Sequence, residues 1–191
     1  MRPSSSTSEG LWDGLFGRGA VTDDVSDRAW VQAMLDAEAA LARASARVGV
    51  IPQEAAEEIA SHCRAEEFDI AELGVDAVAS GNPVPALVRA LTENVGGEAA
   101  GHVHRGATSQ DILDTAMMLV AHRSLGPLLD DLAEAAEACA RLASAHGETV
   151  VAGRTLLQQG LPTTFALKAA GWLVALDEAR ALLAEARERA P

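Results

Sequence analysis

The sequence predicts an all-α fold built from long, stripe-bearing helices. Three observations carry this. Apolar residues make up 49% of the chain, but Ala and Leu dominate, aromatics are 3% and Tyr is absent. That composition favours helices and starves sheets. Apolar positions recur at alternating steps of four and three along several stretches, the spacing of one helix face. Gly, Pro and short polar residues stand between those stretches, where helices stop and start.

In order, residues 1–10 read as a disordered polar tail, followed by a turn-rich apolar segment at 11–17. Ser26 caps a first long helix whose stripe is Trp30, Met34, Ala37, Leu41, Ala44 and Val48. Gly49 ends it, and Pro52 opens a second helix running to about Arg64, with His62 complementing the dipole near its end. Asp69 caps a short helix that stops near Ser80-Gly81-Asn82-Pro83. The next helix, beginning around Pro85, ends at Gly96 and Gly97. From Asp111 to about His146 the pattern predicts one long helix, bent near Gly126-Pro127. Thr149 to Gly153 is extended in character. A final helix carries Phe165, Ala169, Trp172, Leu176, Ala179, Leu183 and Ala186, capped by Thr163 or Thr164. Its spacing suits shallow, near-parallel packing in a bundle.

The formal charge of −13 argues against a nucleic-acid partner, because phosphate contacts need clustered Lys and Arg. An acidic chain still binds an anionic substrate where its positive groups converge. Cys63 and Cys139 stand far apart without metal-ligand spacing and read as free thiols of a reducing compartment, the cytoplasm. No apolar run reaches membrane-spanning length, so no membrane partner is expected.

The densest cluster of donors is His102-Val103-His104-Arg105-Gly106-Ala107-Thr108-Ser109-Gln110-Asp111, directly before an apolar-periodic run. Thr108 or Ser109 can cap the new helix, whose unpaired N–H groups and positive dipole end favour an anion. Arg105 adds a planar fork suited to a carboxylate. Taken singly, a capped helix start is the plainer explanation, and His102 reads as a loop or core-edge residue. A second stretch, Gly153-Arg154-Thr155-Leu156-Leu157-Gln158-Gln159-Gly160-Leu161-Pro162-Thr163-Thr164-Phe165, puts an arginine and a glutamine in a loop before a helix. Lys168 lies just beyond, able either to reach a site or to cover apolar surface with its stem.

His104 to Asp111 resembles the second sequence block of the fumarase/aspartase superfamily, and the resemblance runs from about Leu11 to the end. It implies an N-terminal helical domain at 11–103 leading into the first part of the central bundle at 104–191. The Arg154 segment is similar to the superfamily's Arg-Thr-His-Gly-Gln stretch, but Leu156 stands where adenylosuccinate lyases carry a histidine general acid. Leucine transfers no proton. A nitrogen leaving group needs that proton, whereas a carboxylate departs as a stable anion. The chain therefore resembles the 3-carboxy-cis,cis-muconate cycloisomerase branch, as do Leu156 to Gln159 and Leu167 to Leu173.

The resemblance implies interconversion of 3-carboxy-cis,cis-muconate and 4-carboxymuconolactone in the β-ketoadipate route of protocatechuate breakdown. Thr108 and Ser109 would hold one carboxylate of this polycarboxylate, Arg154 and Gln158 a second, and His104 with Arg105 a third. Gln110 belongs to the same block, and Gly81 and Asn82 to the weaker match of the first block. No metal or organic cofactor is required. The superfamily's third block, with its serine general base, has no match, so the catalytic base is unassigned and the sequence reads as truncated. Complete relatives are homotetramers with sites shared between subunits. Adenylosuccinate-lyase-like activity, or a non-catalytic bundle fragment, are the competing readings.

Overall fold

The computed structural model describes Leu15, Gly17 and residues 19–190; the expected tail at 1–10 and most of the apolar segment at 11–17 lie outside the described residues. The described chain is all-α apart from one β-hairpin. It divides into two compact units, the first ending at Arg123 and the second starting at Ser124.

In the first unit, helix α1 spans Asp27–Arg47, and the Ser26 side chain accepts the Ala29 N–H as expected. Gly49, with a φ of 75°, closes it in the left-handed conformation that a Cβ would strain. One apolar stripe was expected, yet the buried set also takes in Val31, Leu35, Glu38, Ala39 and Ala42. The reason is that α1 packs against several elements: α2 (Gln53–Ser61), the 3₁₀ turn Ala65–Glu67 and α3 (Ile70–Ser80). Val48, the last position of the expected stripe, is 76% exposed because it lies past the helix end.

Pro52 sits at the N-cap of α2, one position before the expected one, with its carbonyl accepting from Ala56. The helix ends at Ser61, short of Arg64. Beyond it the Gln32 amide takes over the backbone, donating to the Cys63 carbonyl at 3.1 Å and accepting from the Ala65 N–H at 2.9 Å. His62 does more than complement a dipole: its Nδ1 donates to Glu67 Oε2 at 2.9 Å. That hydrogen bond first, and the one from Arg64 next, hold the Glu67 carboxyl below its ordinary range.

Asp69 caps α3, accepting from Ala71 and Glu72, and Gly81 ends it at a φ of 72°. Helix α4 spans Val84–Val95. Leu35, Ile59, Leu87 and Leu91, from three different helices, are fully buried together. Helix α5 runs unbroken over Ser109–Ala145 with Pro127 inside it.

The second unit holds the last part of α5, strands β1 (Val150–Thr155) and β2 (Gln158–Thr164), and α6 (Phe165–Arg189). The expected loop around Arg154 is an antiparallel hairpin turning at Leu156-Leu157, with Leu157 at a φ of 61°. Glutamines, Gly160 and Pro162 hide its strand character, since none favours a sheet by propensity. The register shifts between Ala152 and Arg154, where Gly153 faces Gly160 and Leu161, next to the Ala152–Pro162 pair in which Pro162 has no N–H to give the ladder. Gly153 is obligatory here, because a Cβ on it would lie 2.5 Å from the Leu161 carbonyl oxygen. Thr164 caps α6 by accepting the Leu167 N–H at 3.2 Å. Phe165 packs edge-on against His146 and Trp172, tying the hairpin's base to the helix. Of this unit's described apolar side chains only Ala136 and Ala169 are buried, so the expected bundle stripes are largely open to solvent.

Leu35→Ala should destabilise the first unit by about 2–5 kcal/mol in urea denaturation, the usual result of emptying a packed leucine site. His62→Ala should lower stability near neutral pH, because a carboxyl held low in the folded state stabilises once ionised. The gap between variant and parent should close as pH falls through the lowered Glu67 value, read as unfolding free energy against pH.

Candidate functional site

The His102–Asp111 segment lies in the first unit, between the 3₁₀ turn Ala99–His102, which packs on α2 and α4, and the start of α5. His104 and Gly106 both take positive φ, 56° and 86°, so the backbone enters the left-handed region twice within three residues. For an ordinary side chain such a turn costs about 1–2 kcal/mol, and it persists only where something holds it. Arg105 donates to His102 Nδ1 at 3.2 Å, which gives His102 a defined role as the arginine's prop.

At the start of α5 Asp111 reaches back, its Oδ2 accepting the Thr108 N–H at 2.9 Å. The hydroxyls of Thr108 and Ser109 stand at a helix N-terminus, where the dipole favours an anion. Gln110 is turned along the helix surface and donates to Asp114 at 2.6 Å. Asn82 is engaged in starting α4, its Oδ1 accepting from Val84 at 3.1 Å beside the left-handed Gly81.

Sequence reasoning missed Glu38. It is 1% exposed, and its Oε1 lies 2.5 Å from His104 Nδ1. Burial raises its carboxyl above the ordinary value, while the hydrogen bond and charge of His104 pull it back. A signal was present: Glu38 interrupts an alanine- and leucine-rich run, Ala37 to Ala42, on the most buried helix.

In the second unit, Arg154 is paired across the hairpin with Gln159, and Thr155 with Gln158. Arg154 lines an open cavity of about 630 Å³ together with Gly153, Thr163, Phe165 and Lys168. The Lys168 ammonium also lies 5.5 Å from the centre of the Trp172 ring, within cation–π range. Two cations and one hydroxyl around one opening suit a carboxylate. Leu156 is 87% exposed at the turn between Arg154 and Gln158. Among the described residues no group of three or more His, Cys, Asp and Glu is placed to hold a metal, and no helix is long and apolar enough to cross a membrane.

An all-α fold, a donor-rich start to its longest helix and an arginine-bearing segment before the next define a known class, and the chain belongs to it. It is a member of the fumarase/aspartase superfamily, whose family model, described as a lyase, matches residues 17–190. It is 50% identical over 159 residues to nitrosuccinate lyase of Streptomyces davaonensis, covering 82% of this chain and 34% of that one. To 3-carboxy-cis,cis-muconate cycloisomerase of Bradyrhizobium diazoefficiens it is 49% identical over 160 residues, 82% of this chain and 36% of the relative. The crystal structure of 3-carboxy-cis,cis-muconate lactonizing enzyme from Pseudomonas putida superposes with a TM-score of 0.89 at 40% identity, over 94% of this chain and 42% of that one. The chain thus spans between about a third and just over two fifths of the length of these relatives.

Asp111→Ala should remove the acceptor of the Thr108 N–H and destabilise the start of α5 by about 1 kcal/mol. Faster amide exchange at Thr108, with the core of the first unit unchanged, is the expected reading.

Proposed function

We propose that this chain carries two of the carboxylate-binding segments of a 3-carboxy-cis,cis-muconate cycloisomerase acting in aromatic catabolism. In that reaction one substrate carboxylate adds to a double bond of the same molecule, and the carbon beside another carboxylate gains a proton. Carbanion character on that carbon spreads into its carboxylate, and donors fixed in place stabilise it. Loss of one such donor commonly costs about 3 kcal/mol of barrier. Thr108 and Ser109, with the first N–H groups of α5, hold one carboxylate, and His104 with Arg105 neutralises another. Arg154 and Gln158 orient a third. Gly81, Asn82 and Gln110 lend the lesser support expected of turn and helix-surface groups. The base that moves the proton is assigned to no residue of this chain.

Leu156 carries the reading. An apolar side chain between Arg154 and Gln158 supplies no proton to a departing group, so the group must leave with its own negative charge, as the carboxylate of an opening lactone does. A second reading is favoured by the 50% identity to nitrosuccinate lyase: nitrite is also a stable anion and needs no acid. The half-open apolar faces of the second unit support a homo-oligomer, a tetramer by resemblance, and the free cysteines support a reducing, cytoplasmic setting.

The test supplies the purified chain with carboxymuconate, nitrosuccinate and adenylosuccinate in turn, alongside its mass in solution. Turnover of carboxymuconate, with the other two untouched, supports the reading. Preference for nitrosuccinate establishes the second reading, release of fumarate from adenylosuccinate overturns the Leu156 argument, and a folded oligomer inert to all three is a non-catalytic bundle. In an active assembly Arg154→Ala should lower kcat/KM by about two orders of magnitude with the circular dichroism unchanged.

A further inference from the structure

Glu38 is the most deeply buried charged side chain among the described residues, and only one of its oxygens is answered. Oε1 meets His104 Nδ1 at 2.5 Å, whereas Oε2 is buried with no hydrogen-bond partner. His104 is the one charged group whose field offsets the burial of this carboxyl. Cys63, which also feels the Glu38 charge, is pushed up to about 12 by burial first and by Glu38 next, and stays a neutral thiol.

Without a net positive charge, the pair can hold its protons in four ways. A neutral Glu38 acid can donate to Nδ1, which leaves the imidazole's own proton on Nε2. A Glu38 carboxylate can accept from an imidazolium, and Nε2 again carries a proton. The other two leave Nε2 bare. A neutral acid with its proton on Oε2 beside an Nδ1–H imidazole buries an O–H donor with nothing to accept it. A carboxylate beside the same imidazole puts a net negative charge on a buried carboxyl whose second oxygen has no donor, the arrangement that burial penalises most. The first two contain the same protons and no net charge, and differ only in where one proton sits across 2.5 Å.

We propose that Glu38 and His104 form an electroneutral buried pair sharing one proton, and that Glu38 is thereby a positioning residue that keeps His104 Nε2 an N–H donor for a substrate carboxylate. The His104 side chain is 19% exposed while Glu38 is 1% exposed. With Nδ1 committed to the buried carboxyl, Nε2 is the ring nitrogen left for the surface. The pair also holds the left-handed backbone at His104, which turns the ring onto α1. A fixed donor results beside Arg105, Thr108 and Ser109, one that cannot turn acceptor and repel an anion. The donor's target rests on the carboxylate reading of this site; the proton count does not.

The test is long-range proton–nitrogen correlation spectroscopy of the nitrogen-15-labelled full chain at pH 8. His104 is assigned by the loss of its signals in His104→Gln or, if that variant does not fold, by through-bond connection to its backbone. The expected spectrum has a protonated Nε2 and a strongly downfield proton shared at Nδ1, and the downfield signal is lost in folded Glu38→Gln. A bare, pyridine-like Nε2 overturns the proposal, as does a downfield signal that survives in Glu38→Gln. If Glu38→Gln fails to fold, the state of Nε2 in the parent chain decides alone. Because no turnover is read, a protonated Nε2 in a chain inert to every carboxylate substrate refutes the site reading and leaves the pair standing. A bare Nε2 in an active chain refutes the pair alone.

Discussion

A carboxyl group shut away from water inside a helix of alanines and leucines must be answered by a partner, and in this fold the answer is His104. Everything at the donor-rich turn follows from that contact. Glu38 lies in the middle of α1, the helix that α2 and α3 pack around, so it is fixed by the best-packed part of the molecule. His104 reaches it by adopting a backbone conformation unusual for a side chain with a Cβ. Removing one member of such a buried pair commonly costs about 3–5 kcal/mol, enough to outweigh the local strain at the turn. The turn then delivers Arg105, Thr108 and Ser109 to the start of α5 in a set geometry.

The two units differ in how they are held. The first has a core drawn from several helices, with Leu35, Ile59, Leu87 and Leu91 fully enclosed, and its loops are closed by specific bonds such as the two made by Gln32. The second is held by a hairpin, a trio of edge-packed rings and a threonine cap, with little enclosed surface. Its apolar helix faces are largely open to solvent. Arg154 and Lys168 line one opening where the hairpin joins α6. The candidate groups of each unit are thus built beside backbone held by specific contacts.

Much of this was legible in the residues, and the misses are informative. Ser26, Asp69 and Thr164 act as caps because a short oxygen-bearing side chain before an apolar-periodic run has few other uses. Gly49, Gly81 and Gly96 end helices because left-handed backbone there suits a residue without a Cβ. The hairpin escaped notice because Gln158, Gly160 and Pro162 are poor strand formers, and pairing with β1 overrides propensity. At the start of α5 the first-turn carboxylate, Asp111, accepts the Thr108 N–H in a charge-assisted bond.

The linear order of residues was sufficient for the helices, their punctuation and the family. Those depend on local spacing and on the donor-rich block before the longest helix. Folding alone decided that Glu38 would be buried, that it would meet His104 across 66 positions of chain, and that Arg154 would share an opening with Lys168. Such contacts join residues that no periodicity connects, and a buried charge reveals its partner only when the water around it is gone.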